Sequence, residues 1–263
     1  MTSATALHQL VAIARKDALH ELSYQFQLSM RYISTLFSVG TFFFLGRIVQ
    51  GSEALAPFGG EYFSFALIGL VVMNIAHVAL RDVSRTFTGG GTGGTLEILL
   101  AGPTPLPSLL MGSLIVPMGL TTIDIGIYLI AGIALGSLSF TLPGAGLSLL
   151  ILLLATGTFV GIGVLATAFL VLTRRGEPIT FFTLQATNLL AGTLFPISVL
   201  PAGLQVVSHM LPAFYGIRAL REVILVGSGL EAVWQDLAIL AVFNLALIPI
   251  SLWALRKALD LAR

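Results

Sequence analysis

Residues 147–173 read LSLLILLLATGTFVGIGVLATAFLVLT, without one charged side chain. A helix of roughly 20 apolar residues crosses a bilayer, so this run is long enough to span one. Within it, Gly157-Thr158-Phe159-Val160-Gly161, followed by Gly163, has the small-residue spacing that lets helices approach closely. That contact could form within one subunit or between two.

Working outward, similar runs occur at residues 32–49, 62–80, 106–135, 179–197 and 237–255. The run at 106–135 is long enough to be tilted, or broken near Pro117. Together they predict an all-α integral membrane protein with six transmembrane helices. Composition agrees. Of 263 residues 56% are hydrophobic and only 10% are charged, against about 25% charged in an ordinary soluble domain. Such a chain cannot cover itself with polar surface in water.

Before the first run, Leu7, Leu10, Val11, Ala14, Ala18 and Leu22 share one helical face, with Ile13 and Leu19 off it. This predicts an amphipathic helix along the membrane surface. The segment has no basic lead into an apolar core and small-residue cleavage site, so it does not read as a secretory signal. The chain forms one domain, 1–263: an amphipathic helix in 1–30, six spans in 32–255 and a tail at 256–263.

Lysine and arginine set the orientation. One side would carry Arg15, Lys16, Arg31, Arg81, Arg85, Arg174, Arg175, Arg256, Lys257 and Arg263; the other Arg47, Arg218 and Arg221. Both termini are therefore expected in the cytoplasm, as an even number of spans requires.

Two segments between spans stand out. Gly94-Thr95-Leu96-Glu97-Ile98-Leu99-Leu100-Ala101-Gly102-Pro103 follows a glycine-rich lead. Thr95 can cap a helix, Glu97 suits its positive end, and Gly102-Pro103 stop it after about two turns. The glycines are no phosphate loop, because no lysine follows and no strand precedes. The second segment contains Phe195-Pro196, Leu200-Pro201 and Leu211-Pro212. Its prolines interrupt any continuous helix. A short helix at 203–210 and a second at 214–226 would form a re-entrant pair on the outer side, because Arg218, Arg221 and Glu222 are costly in lipid.

Polar residues inside the spans are candidate pathway residues. Asp124 is a membrane-embedded carboxylate near Thr121, Thr122 and Tyr128, with Arg47 as its expected partner. Asn74, His77 and Arg81 share a helical face. Thr180, Gln185, Thr187 and Asn188 add polarity to the fifth run. Such groups either hydrogen-bond between helices or line a path. Phe42, Phe43 and Phe44 read as packing or lipid-facing groups.

Soluble chemistry finds no support. There is no cysteine, which excludes disulfides and thiolate metal sites. His8, His20, His77 and His209 are scattered across different segments, and His77 has no His, Asp or Glu at a ligand spacing nearby. Net charge is +1, and no basic run tracks a nucleic-acid backbone.

Gly94-Thr95-Leu96-Glu97 with Leu99, Leu100 and Pro103, then Phe195-Pro196 through Pro201, then Leu211-Pro212 and Tyr215 through Arg218, Ala219 and Leu220, resemble the permease subunits of type-2 ABC exporters. The resemblance covers essentially the whole chain. It implies that the N-terminal helix is a connecting helix at the cytoplasmic surface. It makes residues 95–101 a cytoplasmic coupling helix in which Thr95, Leu96, Glu97, Leu99 and Leu100 dock on a separate ATPase. The outer helix pair, with Phe195, Pro196, Pro201, Pro212, Tyr215 and Arg218, would cap the translocation path. It implies two permeases, identical or homologous, over two ATPase subunits in a bacterial-type inner membrane. ATP and Mg would belong to the ATPase, with no cofactor in this chain and no enzyme site of its own. The cargo class would be a drug, lipid or glycan, and nothing in the sequence selects among them. The rival reading is an ion-gradient-driven secondary transporter, which needs titratable sites near the midplane and often inverted repeats. Only Asp124 is available to it, and no internal repeat is evident.

Overall fold

The computed structural model describes residues 3–49, 55, 60–88, 106–138, 142–173 and 178–262. The described residues form α1 (Ser3–Ser23), α2 (Gln25–Ile48), α3 (Tyr62–Thr88), α4 (Leu106–Ala134), α5 (Leu142–Thr173), α6 (Pro178–Leu190), α7 (Ala202–Met210), α8 (Pro212–Arg221) and α9 (Leu230–Ala262). Among them α2, α3, α4, α5 and α9 are long and apolar enough to cross a membrane.

Helix α3 is the centre. Its face through Phe65, Leu67, Ile68, Val72, Ala76 and Leu80 is almost completely buried. Helices α2, α4, α5, α6 and α8 all pack on it. Glycine sets the closest approaches. A Cβ at Gly163 of α5 would lie 2.5 Å from the Ala79 carbonyl of α3, and one at Gly161 would lie 3.0 Å from Leu247 of α9. The small-residue stripe of α5 thus packs within the subunit, on α3 and α9. A second apolar cluster, including Val83, Leu110, Val164, Leu255 and Leu259, joins the C-terminal end of α3 to α4, α5 and α9.

Three expectations need correction. The fifth apolar run does not form a helix to residue 197, so six full spans are not seen among the described residues. Helix α6 has 13 residues, about 20 Å at 1.5 Å per residue, short of a ~30 Å hydrocarbon core. It stops because Gly192 turns into the left-handed region at φ 76° and Pro196 then begins a short 3-10 turn, Ile197–Val199.

Pro117 does not break α4, which runs through it. The Thr121 hydroxyl donates to the Pro117 carbonyl at 2.9 Å.

Helix α1 uses a different face from the one expected. Leu10, Ile13, Ala14, Asp17, Ala18 and Glu21 are half-buried, while Val11 and Leu22 are exposed. The stripe is rotated because Ile13 sits on Gly112 of α4, where an added Cβ would lie 3.1 Å away. The exposed Val11, Leu19 and Leu22 keep an apolar edge for lipid.

Candidate functional site

Helix α2 begins at Gln25, before the expected start of the first span, so Arg31 lies inside the helix. Its guanidinium meets Asp124 of α4, with Nε 2.7 Å and Nη2 2.6 Å from Oδ2. Arg31 Nη2 also donates to Thr121 Oγ1 at 3.1 Å, and Thr35 Oγ1 donates to Asp124 Oδ1 at 3.1 Å. Asp124 is 1% exposed. The expected partner Arg47 lies instead over the Phe43 ring of its own helix, 5.1 Å from the centroid. The mistake lay in depth. The start of α4 packs beside α1, which moves Asp124 to the level of Arg31.

This ion pair forms one wall of a polar cavity of about 320 Å³, lined also by Ser34, Thr35, Asn74, His77, Arg81, Asp82 and Tyr128. Three of the expected pathway residues, Asn74, His77 and Asp124, thus meet there. A second cavity, of about 380 Å³, lies on the other side of His77 and Arg81, against Thr180, Leu184, Gln185 and Asn188 of α6. It brings in Thr180, Gln185 and Asn188, while Thr187 lines neither cavity. The polar face of α3 is a partition between two polar spaces. Arg31 and Asp82 were not singled out for this site by the sequence. The helical spacing of Asp82 beside Val78 and Arg81 was the signal available for it.

Beyond α6 the chain forms the helix pair α7 and α8. Pro201 precedes α7 and Pro212 is the first residue of α8, where a missing N–H costs no bond. Pro196 is buried and Phe195 half-buried beside the turn that ends α6. Tyr215 Oη donates to the His209 carbonyl at 2.7 Å, tying α8 back to α7. Arg218 makes a bidentate pair with the buried Asp236 of α9. It also lies 5.0 Å over Phe214. Arg221, 4% exposed, donates to the carbonyls of Gly192 (2.6 Å), Thr193 (2.9 Å) and Phe65 (3.0 Å). This residue, which sequence reading treated only as a cost in lipid, pins α8 to α3 and to the broken end of α6.

The expected coupling residues Thr95, Leu96, Glu97, Leu99 and Leu100 lie outside the described residues. In sequence they follow α3, the helix that carries His77 and Arg81, after the glycine-rich lead.

Apolar spans with polar cavities between them, and a braced pair of short helices before the last span, define a multi-pass membrane protein. The family model described as ABC-2 type transporter matches residues 8–225, and the chain belongs to that family as a permease. No curated protein matches the chain at a significant level.

Proposed function

We propose that this chain is the membrane subunit of an ATP-driven exporter, moving a hydrophobic or amphipathic cargo outward with energy from a separate ATPase. The observation that carries this reading is the continuity of α3. One unbroken helix, Tyr62–Thr88, holds the His77–Arg81 partition and is followed in sequence by the glycine-rich lead and then the segment that resembles a coupling helix. A push on residues 95–101 would therefore move the wall shared by both polar cavities. The helix pair α7–α8 would form the outer cap, and α1 the cytoplasmic connecting helix. Two ATPase subunits, and a second permease copy, identical or homologous, would complete the assembly in a bacterial-type inner membrane with both termini cytoplasmic. The Arg31–Asp124 pair weakens the ion-driven alternative, because the carboxylate which that reading relies on is already paired with a cation.

The test is purification of the tagged chain from its own cells in mild detergent. A bound soluble subunit with ATPase activity, and ATP-dependent transport in vesicles, supports the reading. Glu97→Arg should then weaken ATPase retention and abolish transport while leaving the thermal melt of the chain unchanged. Retention of no ATPase in detergent or in nanodiscs, with transport driven by an ion gradient alone, overturns it.

A further inference from the structure

Helices α4 and α5 are consecutive in the chain, yet both pack on α3 and leave a cleft between them. The cleft has a volume of about 580 Å³ and runs from Met118 and Thr156 at one end to Ile133 and Ala145 at the other, with Ile75 of α3 among its lining residues. No charged side chain lines it. Its rims, Ile133, Leu149 and Leu153, are more than half exposed on the surface of two membrane spans. The cleft therefore opens sideways, toward lipid.

Shape chooses the occupant. From Met118 to Ile133 the helix rises about 22 Å. A transmembrane helix of that length, about 10 Å across, fills roughly 1,700 Å³ and does not fit. One alkyl chain, about 5 Å across at ordinary carbon contact distances, needs roughly 430 Å³ over the same length. The cleft matches a single chain.

Chemistry adds an anchor. The hydroxyls of Thr122 and Thr156, which also line the cleft, each donate to the carbonyl one turn back in their own helix. Ser148 does not. It is 6% exposed, it lines the cleft, and its Oγ has no hydrogen-bond partner. A buried hydroxyl in an apolar cleft calls for an acceptor. Ser148 lies near the start of α5, beside the α4–α5 connection, which is close to one membrane face. An acyl ester carbonyl is the acceptor found there at the head of an alkyl chain.

We infer that the α4–α5 cleft holds one acyl chain of a bilayer glycerophospholipid, with the Ser148 hydroxyl donating to its ester carbonyl. The site is independent of the transport reading.

The full chain is placed in nanodiscs of synthetic phosphatidylcholine carrying a diazirine in one acyl chain, photolysed, and mapped by peptide mass spectrometry. Adducts at Ile125, Leu129 and Leu152 should exceed those at the lipid-exposed Leu245 of α9 several-fold. Gly126 lines the cleft with nothing within 4 Å of an added Cβ, so Gly126→Phe fills the cleft without a backbone clash and should abolish the excess. Unlabelled ester-linked lipid should compete about fivefold better than its ether analogue, the worth of one hydrogen bond. Ser148→Ala should erase that difference while the protein stays folded. Equal labelling of the cleft and Leu245, an excess that survives Gly126→Phe, or an ester preference that survives Ser148→Ala each overturns the assignment. So does cleft labelling that appears only when a second amphiphile is added, because the occupant would then be cargo.

Discussion

Arg31 and Asp124, on different spans, face each other with Nε and Oδ2 2.7 Å apart, and Thr35 and Thr121 complete the bonding around them. Removing one partner of a buried pair strands the other charge, which costs about 3–5 kcal/mol. Replacing both removes the desolvation cost as well. Asp124→Leu and Arg31→Met should each lower the melting temperature in detergent. The double variant Arg31→Met/Asp124→Leu should melt above the Arg31→Met single. Additive losses in that cycle would show that the two residues act separately.

Arg221 ties three backbone carbonyls from two places in the chain. Lysine keeps the charge and lacks the planar fork that reaches several acceptors at once. Arg221→Lys should therefore destabilise by about 1.5–3 kcal/mol for each charged hydrogen bond lost. Gly69 tests the same joint from the other side, because a Cβ there would lie 2.1 Å from the Thr193 carbonyl. Gly69→Ala should loosen α6 from α3 and raise proteolysis between α6 and α7, with α9 unaffected. Protease resistance equal to the parent chain would contradict the joint.

The apolar runs were legible because burial in lipid demands long uncharged stretches, and α5 and α9 lie where those stretches are. Proline grammar placed α7 and α8 well, since Pro201 and Pro212 sit at their starts. Depth was not legible. Arg31 sits at the polar edge of an apolar run, and only the tertiary offset between α2 and α4 brings it to Asp124. The end of α6 was hidden too, because residues 191–197 carry no charge and continue an apolar run, and the Arg221 that captures the carbonyls of Gly192 and Thr193 is remote in sequence. Ile13 looked like an irregularity in α1 until Gly112 of α4 supplied its seat.

Two glycines of α5 should respond differently to alanine. A Cβ at Gly157 would lie 2.1 Å from Asn244 Oδ1, a side-chain atom, whereas one at Gly163 meets the Ala79 backbone carbonyl. Asn244 Nδ2 donates to the carbonyls of Leu154 and Leu240 and to Thr158 Oγ1. Gly157→Ala should lose stability through that network, and Asn244→Ala added to it should recover part of the loss. Gly163→Ala should cost about 1–3 kcal/mol of overpacking that no side-chain truncation on α3 relieves. A melt series on Gly157→Ala, Gly157→Ala/Asn244→Ala and Gly163→Ala, the last also combined with side-chain truncations on α3, checks both statements.

The absence of cysteine makes any introduced thiol unique, and this allows the polar cavities to be told from lipid-facing surface. Asn74, His77 and Gln185 line the polar spaces, while Leu245, 77% exposed, is on the apolar outside of α9. Methanethiosulfonate reagents react with the thiolate, which forms in water and is suppressed where the surroundings are apolar. In vesicles, Asn74→Cys, His77→Cys and Gln185→Cys should react with a charged reagent at least about tenfold faster than Leu245→Cys, because a thiol of pKa near 8.5 ionises only where water reaches it. Rates equal to that of Leu245→Cys would mean that the spaces around His77 are dry, and that their polar residues serve helix packing instead of a path.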